Sequence, residues 1–156
     1  MYSPLNIANK FIELACAAGT PITQMQAQKL TYIAHGLNLG HKDAPLLTTP
    51  VCAWRYGPVV PVLYNHLKQF GRSVITQPIY VPPAIVEQFD PATEQLLQTV
   101  YRHYGRYSAE ELSTFTHRDG TPWKKATDAH LDIIPDSFIQ DYYKRLLQGD
   151  TNCIGL

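Results

Sequence analysis

Near the start of the chain, apolar residues recur at helical spacing and predict two helices. Ser3-Pro4 supplies an N-cap followed by a proline at the first helical position, and the first helix is expected to end at Gly19. Thr23 and Gln26 have the spacing of a capping box for the second helix, which we expect to end at Gly40. The apolar stripes of the two helices are Leu5, Ala8, Ile12 and Ala15, and then Leu30, Ile33, Ala34 and Leu37.

The middle of the chain changes from helical to extended spacing. Val51–Tyr56 is typical of a short strand, and Gly57-Pro58 predicts a turn, because glycine adopts unusual backbone angles and proline interrupts a sheet ladder. An amphipathic run predicts a third helix over Val59–Phe70, beginning directly after that turn. Val74–Val81 is rich in β-branched residues, but Pro78 limits it to an edge strand or extended loop. We expect it to pair with the first strand as a small flap.

Helix-start signals recur through the second half of the chain. Asp90-Pro91 begins a helix, Ser108 begins a shorter one within a capping box, and Thr121-Pro122 begins a further helical turn. The last helix is expected over Asp136–Gln148. The predicted fold class is therefore mainly α, one compact helical domain over residues 1–148 with about five to seven helices and a small two- to three-stranded β element. Residues 149–156 are expected to form a loose C-terminal tail.

Composition narrows the class of protein. The 156 residues are 45% hydrophobic and 17% charged, and 13 Lys and Arg balance 13 Asp and Glu, so a phosphate-binding surface for nucleic acid is not favoured. Three cysteines at 16, 52 and 153 have no metal or redox spacing, which fits a reducing, cytoplasmic compartment. The N-terminus lacks the pattern of a signal peptide, and no apolar run is long enough for a membrane span.

Residues that could carry chemistry are scattered. The six histidines have no zinc-ligand spacing, no glycine-rich phosphate loop is present, and no serine or cysteine stands in a nucleophile motif, so neither metal nor cofactor is predicted. His117 has two interpretations. Its ring can bond a backbone carbonyl and pack on Trp123, or it can act as an acid or base with Asp119, Glu110 or Glu111, as in a cryptic enzyme.

Two groups of residues occur together and resemble a known family. The first is Gln28-Lys29-Leu30-Thr31-Tyr32 followed by the run Ala53 to Pro61, AWRYGPVVP, and then Tyr64. The second is Tyr104-Gly105, Ser108 to Leu112, Thr116-His117, Pro122-Trp123 and Ala126. The combination resembles the Panacea domain family of SocA-like and phage-associated GepA-like antitoxin proteins, over nearly the whole chain. Thr31 is more polar than the family's usual residue there, and we expect the partner surface to differ at that point.

The resemblance implies an antitoxin that neutralises a protein toxin by binding it, the toxin being small and encoded by an adjacent gene. An alternative within the same resemblance is an adaptor that delivers the toxin to a cytoplasmic energy-dependent protease. The family implies no metal and no catalytic residues, and the oligomeric state is left open. The turn after Tyr56 is then either a structural corner or a docking surface. The predicted partner-binding residues are Trp54, Tyr56, Gly57, Pro58, Val59, Tyr64, His117 and Trp123.

Overall fold

The computed structural model describes residues 1–149, which form seven α-helices and two small antiparallel β-ladders. The helices are α1 (Pro4–Ala17), α2 (Gln24–Lys42), α3 (Pro61–Leu67), α4 (Pro91–Tyr104), α5 (Ala109–His117), α6 (Pro122–Asp128) and α7 (Asp136–Leu147). The strands are β1 (Ile22–Thr23), β2 (Cys52–Trp54), β3 (Gly57–Val59) and β4 (Val74–Ile75). The prediction of a mainly α fold with a minor β element is confirmed. Of the predicted loose tail, residues 150–156 lie outside the described residues, and the single domain over 1–148 stays a prediction.

Helix α2 lies at the centre of the fold. Most of its residues from Ala27 to Leu39 are buried, and it packs against α1, α4, α5 and, most extensively, α7. The expected end at Gly40 is wrong, because α2 continues to Lys42 and is closed by Asp43 with a left-handed backbone. Gly40 serves a different purpose: a Cβ there would lie 2.8 Å from the carbonyl carbon of Tyr143 in α7. The glycine therefore allows two helices to approach closely.

The predicted helix caps are confirmed. The side chains of Thr23 and Ser108 each accept a backbone N–H from three residues on. Their own backbone N–H groups donate to the side chains of Gln26 and Glu111, which completes two capping boxes. Ser3, Asp90 and Thr121 also cap helices that begin with proline. These starts depend on atoms a few residues apart, which is why they can be recognised in the sequence.

The β-pairing differs from the prediction. Strand β4 pairs with β1, Ile75 opposite Ile22, and not with the segment Val51–Tyr56. That segment's strand instead pairs with the residues that directly follow it, β3. The expected flap is therefore wrong. The buried side chains of Ile22 and Ile75 favour the observed pairing, because it places both in the core.

No helix within residues 1–149 is both long enough and apolar enough to cross a membrane.

Candidate functional site

Strands β2 and β3 form a tight hairpin around the loop Arg55–Tyr56. Both loop residues keep a negative φ, so the positive φ that short hairpin connections need falls on Gly57, at 120°. The register pairs Cys52 with Val59, Ala53 with Pro58, and Trp54 with Gly57. The predicted direct passage from a strand into a helix at Val59 is therefore wrong, since the chain first turns back as β3 and α3 begins at Pro61.

Pro58 fits this ladder because of its position. Alternate residues of an antiparallel pair direct their N–H and C=O groups away from the partner strand. At this pair the Ala53 N–H donates to the carbonyl of Asp132 at 2.8 Å, and the Pro58 carbonyl accepts from Lys29 on the opposite side. Proline's missing N–H is thus not needed by β2.

A third extended segment lies along the other edge of β2. Ile133 is bridged to Cys52, and the Ile134 N–H donates to the Val51 carbonyl at 2.9 Å. The Ile133 side chain is exposed, and Ile134 is buried. Because this segment covers the free edge of β2, the hairpin is held on both sides.

Helix α2 fastens the inner side of the hairpin. The Gln28 carboxamide donates to the carbonyl of Val60 and accepts from its N–H, both at 3.0 Å. The next residue in the helix is Lys29, and its Nζ donates to the Pro58 carbonyl at 2.9 Å. Both side chains are buried, so these backbone groups are satisfied without water.

Lys29 also occupies the space beside Gly57. A Cβ on Gly57 would lie 2.8 Å from the Lys29 Nζ and 3.4 Å from the Cβ of His117. Burial lowers the pKa of the Lys29 ammonium to about 7, because removal from water disfavours the charged form. A side chain at this position would therefore be strained in its backbone and would press on the end of the Lys29 side chain.

Helices α5 and α6 fasten the outer side. The Ser113 hydroxyl donates to the Tyr56 carbonyl at 3.0 Å, and the Trp123 indole N–H donates to the Trp54 carbonyl at 2.6 Å. The His117 Nδ1 bonds the Ser113 carbonyl, which makes that nitrogen the donor, and the ring meets Trp123 edge to face at 5.4 Å. The structural interpretation of His117 is the one these contacts support.

The structure brings all eight predicted partner-binding residues to one corner of the molecule, which we call the aromatic corner. The Trp54 and Tyr64 rings meet edge to face at 5.0 Å, and Arg55 lies 5.4 Å from the centre of the Tyr56 ring. The exposed fractions are 39% for Trp54, 66% for Tyr56 and 36% for Tyr64. Gly57 and Pro58 are buried, whereas Val59, His117 and Trp123 are half-buried.

The corner offers little for acid–base or nucleophilic chemistry. No ion pair joins His117 to a carboxylate within the described residues, and Glu111 is engaged by the Ser108 N–H at the far end of α5. Burial, and then Asp132, raise the pKa of the Cys52 thiol, so its nucleophilic thiolate is disfavoured. Residues 1–149 contain no cluster of three metal-ligating side chains.

Of the residues that fasten the corner, Gln28, Lys29 and Ser113 were not predicted as site residues. Gln28 and Lys29 occur in the motif, but their partners lie 32 and 29 residues away. The sequence signals for them are their place in the motif and the occurrence of two adjacent polar residues within the predicted second helix. The expectation for Thr31 is wrong, because its side chain is fully buried and donates to the Ala27 carbonyl within α2.

Comparisons with known proteins agree on one family. The family model described as antitoxin SocA-like, Panacea domain, matches residues 28–124, a span that begins at Gln28 and includes every predicted site residue. The chain is also 33% identical over 128 residues to antitoxin SocA of Caulobacter vibrioides (strain NA1000 / CB15N). That alignment covers 75% of this chain and 66% of the relative, so the chain spans about two thirds of the relative's length. No solved structure matches. The chain therefore belongs to the SocA-like Panacea domain family.

Proposed function

We propose that this protein is an antitoxin that neutralises a partner protein toxin by binding it directly through the aromatic corner. Membership of the SocA-like family and the name of the Caulobacter relative support an antitoxin role. The neighbourhood of His117 and Cys52 described above favours a binding role over a catalytic one.

The observation that carries the proposal is the combination of exposed rings with a fastened backbone. Trp54, Tyr56 and Tyr64 each expose more than a third of their surface. The carbonyls of Trp54 and Tyr56 are bonded to α6 and α5. A surface held in this way needs little further ordering when a partner docks, and aromatic residues are the commonest anchors of protein interfaces.

Within the corner, exposure divides the residues into two roles. We assign partner contact to Trp54, Tyr56 and Tyr64, whose rings reach solvent. Gly57 and Pro58 are buried and shape the turn, while Val59, His117 and Trp123 form its half-buried support and rim. This division predicts that the exposed rings can be truncated without unfolding the protein.

Tyr56→Ala is the sharpest test, because the Tyr56 ring is exposed and only its carbonyl serves the fold. We expect its affinity for the toxin to fall by about 30-fold, corresponding to the loss of about 2 kcal/mol that is typical of an interface anchor. Tyr80→Ala is the matched control, since Tyr80 is 76% exposed and lies in the segment between β4 and α4. Its affinity should be unchanged.

The partner to use is a small protein encoded by a neighbouring gene whose expression alone stops growth. Growth on co-expression and affinity by calorimetry are measured for the wild type and both variants, with the melting temperature as a folding control. Equal rescue and equal affinity for Tyr56→Ala and wild type would contradict docking at the corner. The toxin's half-life in cells is measured in parallel, and a shortened half-life would support delivery to a protease instead of masking.

A further inference from the structure

Lys29 is a lysine in the interior of a helical protein, and direct binding through exposed rings does not use it. Its side chain is 2% exposed, and its Nζ donates to the carbonyl of Pro58 at 2.9 Å. That carbonyl belongs to β3, the strand that carries the turn of the aromatic corner. Lys29 is thus a direct link between the central helix and the surface that we propose binds the toxin.

No negative charge compensates this side chain. Helix α2 contains no Asp or Glu, and none of the carboxylates in residues 1–149 forms an ion pair with the Lys29 ammonium. The titratable group that faces it from α5 is His117, across Gly57. On the other surrounding elements, Asp132 lies near the Cys52 thiol along the edge of β2. On α6, Lys124 pairs with Asp128 and Lys125 lies over the Phe138 ring, and Arg55 lies over the Tyr56 ring at the exposed tip of the hairpin.

The two protonation states of Lys29 suit this position differently. An uncharged amine can make the bond to Pro58 and leaves only weakly polar atoms in the interior. An ammonium has three N–H donors and a full charge, and a buried charge without a counter-ion is strongly unfavourable. The ammonium would be relieved if β3 moved away from α2 and water entered.

We propose that Lys29 is the positioning residue of the aromatic corner: its amine holds the hairpin against α2, and a proton on it loosens the hairpin. The functional meaning of this rests on the proposed docking role of the corner. Binding of the toxin would then weaken as the pH falls, through a group that lies beneath the proposed interface and does not contact the toxin. The lowered pKa of Lys29, about 7, places this transition in the physiological range.

The chain supplies its own probe of the corner. It contains two tryptophans, Trp54 and Trp123, and both belong to the corner. Their emission in the free wild-type protein should shift to longer wavelength on acidification from about pH 9 to about pH 5.5, with a midpoint near pH 7. Far-ultraviolet circular dichroism over the same range should stay constant, because the helices do not depend on the link.

Two variants separate the possible sensors. Lys29→Met keeps the apolar length of the side chain without a proton to exchange, and its emission should not respond in this range. The His117 side chain also faces Gly57 and its ring touches Trp123, so His117→Asn, which keeps a donor for the Ser113 carbonyl, is the matched control. Its transition should persist. Loss of the transition in His117→Asn together with its persistence in Lys29→Met would overturn the proposal, and so would a flat wild-type response.

A second measurement on the wild type covers the case in which Lys29→Met does not fold. The Cε resonance of Lys29 and the indole N–H resonance of Trp123 are followed by NMR over the same range. The proposal requires one common midpoint, and an indole resonance that stays fixed while Lys29 titrates would refute it. The emission and NMR measurements use the free protein, so they do not depend on toxin binding. If the toxin does not bind at the corner, these measurements still test the role of Lys29.

Discussion

At the scale of the residue, Gly57 shows how one position serves two constraints. Its φ of 120° lies in the region that side chains rarely adopt, and a Cβ there would lie only 2.8 Å from the Lys29 Nζ. The second constraint is invisible in the sequence, because Lys29 is 28 positions away. A substitution here therefore tests whether Lys29 and the hairpin really press against each other.

We expect Gly57→Ala to lower the free energy of unfolding by about 2–4 kcal/mol, because backbone strain of about 1–3 kcal/mol is added to a close contact with Lys29. Gly19→Ala is the control: Gly19 also has a positive φ, 74°, but open space around it, so only the strain applies. Urea denaturation followed by circular dichroism measures both. An equal decrease in the free energy of unfolding in the two variants would mean that the Lys29 side chain moves aside without an energetic penalty.

At the scale of the element, helix α2 organises the hairpin as well as the core. Its apolar side chains pack against the neighbouring helices, while Gln28 and Lys29 are directed at the backbone of the residues around α3's start. The β2–β3 hairpin is short, and such hairpins are only marginally stable on their own. Its conformation therefore depends on α2, α5, α6 and the segment around Ile133 as well as on its own Gly57.

Gln28→Met should remove both bonds to Val60 while keeping the length of the side chain. Two buried backbone groups lose their partner, and each unsatisfied group costs about 1–3 kcal/mol, so we expect a loss of about 2 kcal/mol or more in the free energy of unfolding. Gln24→Met, which removes an exposed bond to the Gly71 carbonyl, should change it by less than about 1 kcal/mol. Calorimetric melting distinguishes the two. A melting temperature of Gln28→Met equal to that of Gln24→Met would argue against the double bond as a fastening point.

At the scale of the whole molecule, buried titratable groups control how stability depends on pH. Lys29 has a pKa near 7 in the folded protein and an ordinary value of 10.5 when unfolded, so the unfolded chain binds more protons between these values. The contribution of Lys29 to the free energy of unfolding is therefore greatest above pH 10.5 and is lost as the pH falls to 7. Burial raises the pKa of the Tyr32 and Tyr143 phenols, so above pH 10 the folded chain keeps protons that the unfolded chain releases, and stability falls.

These opposing effects predict a maximum of stability in the alkaline range, just below pH 10. On the rising side, the free energy of unfolding should increase by up to about 1.4 kcal/mol per pH unit from Lys29. Lys29→Met should flatten this side, and Tyr32→Phe should reduce the fall beyond the maximum. Urea titrations at a series of pH values measure the curve. The wild-type free energy of unfolding could instead be greatest at acidic or neutral pH, with the same pH dependence in Lys29→Met. That result would be incompatible with a Lys29 side chain that is buried in its uncharged form.

Much of the fold could be predicted because its signals are local. The caps at Ser3, Thr23, Asp90, Ser108 and Thr121 depend on hydrogen bonds within a few residues of the chain, and all five begin helices in the structure. Two of the wrong predictions concern choices between distant partners. The end of α2 was misplaced because Gly40 accommodates Tyr143 of α7, and the flap was misplaced because Ile75 finds a core position beside Ile22.

For the site, the sequence by itself determined which side chains are available: the rings of Trp54, Tyr56 and Tyr64, the turn at Gly57-Pro58, and the neighbouring His117 and Trp123. Only the tertiary structure decided that these rings face solvent, that the turn closes a hairpin, and that Lys29 lies beneath it. The physical reason is distance along the chain. Helix periodicity and capping act over a few residues and are written in the local sequence, whereas exposure and long-range hydrogen bonds exist only once separate segments have packed together.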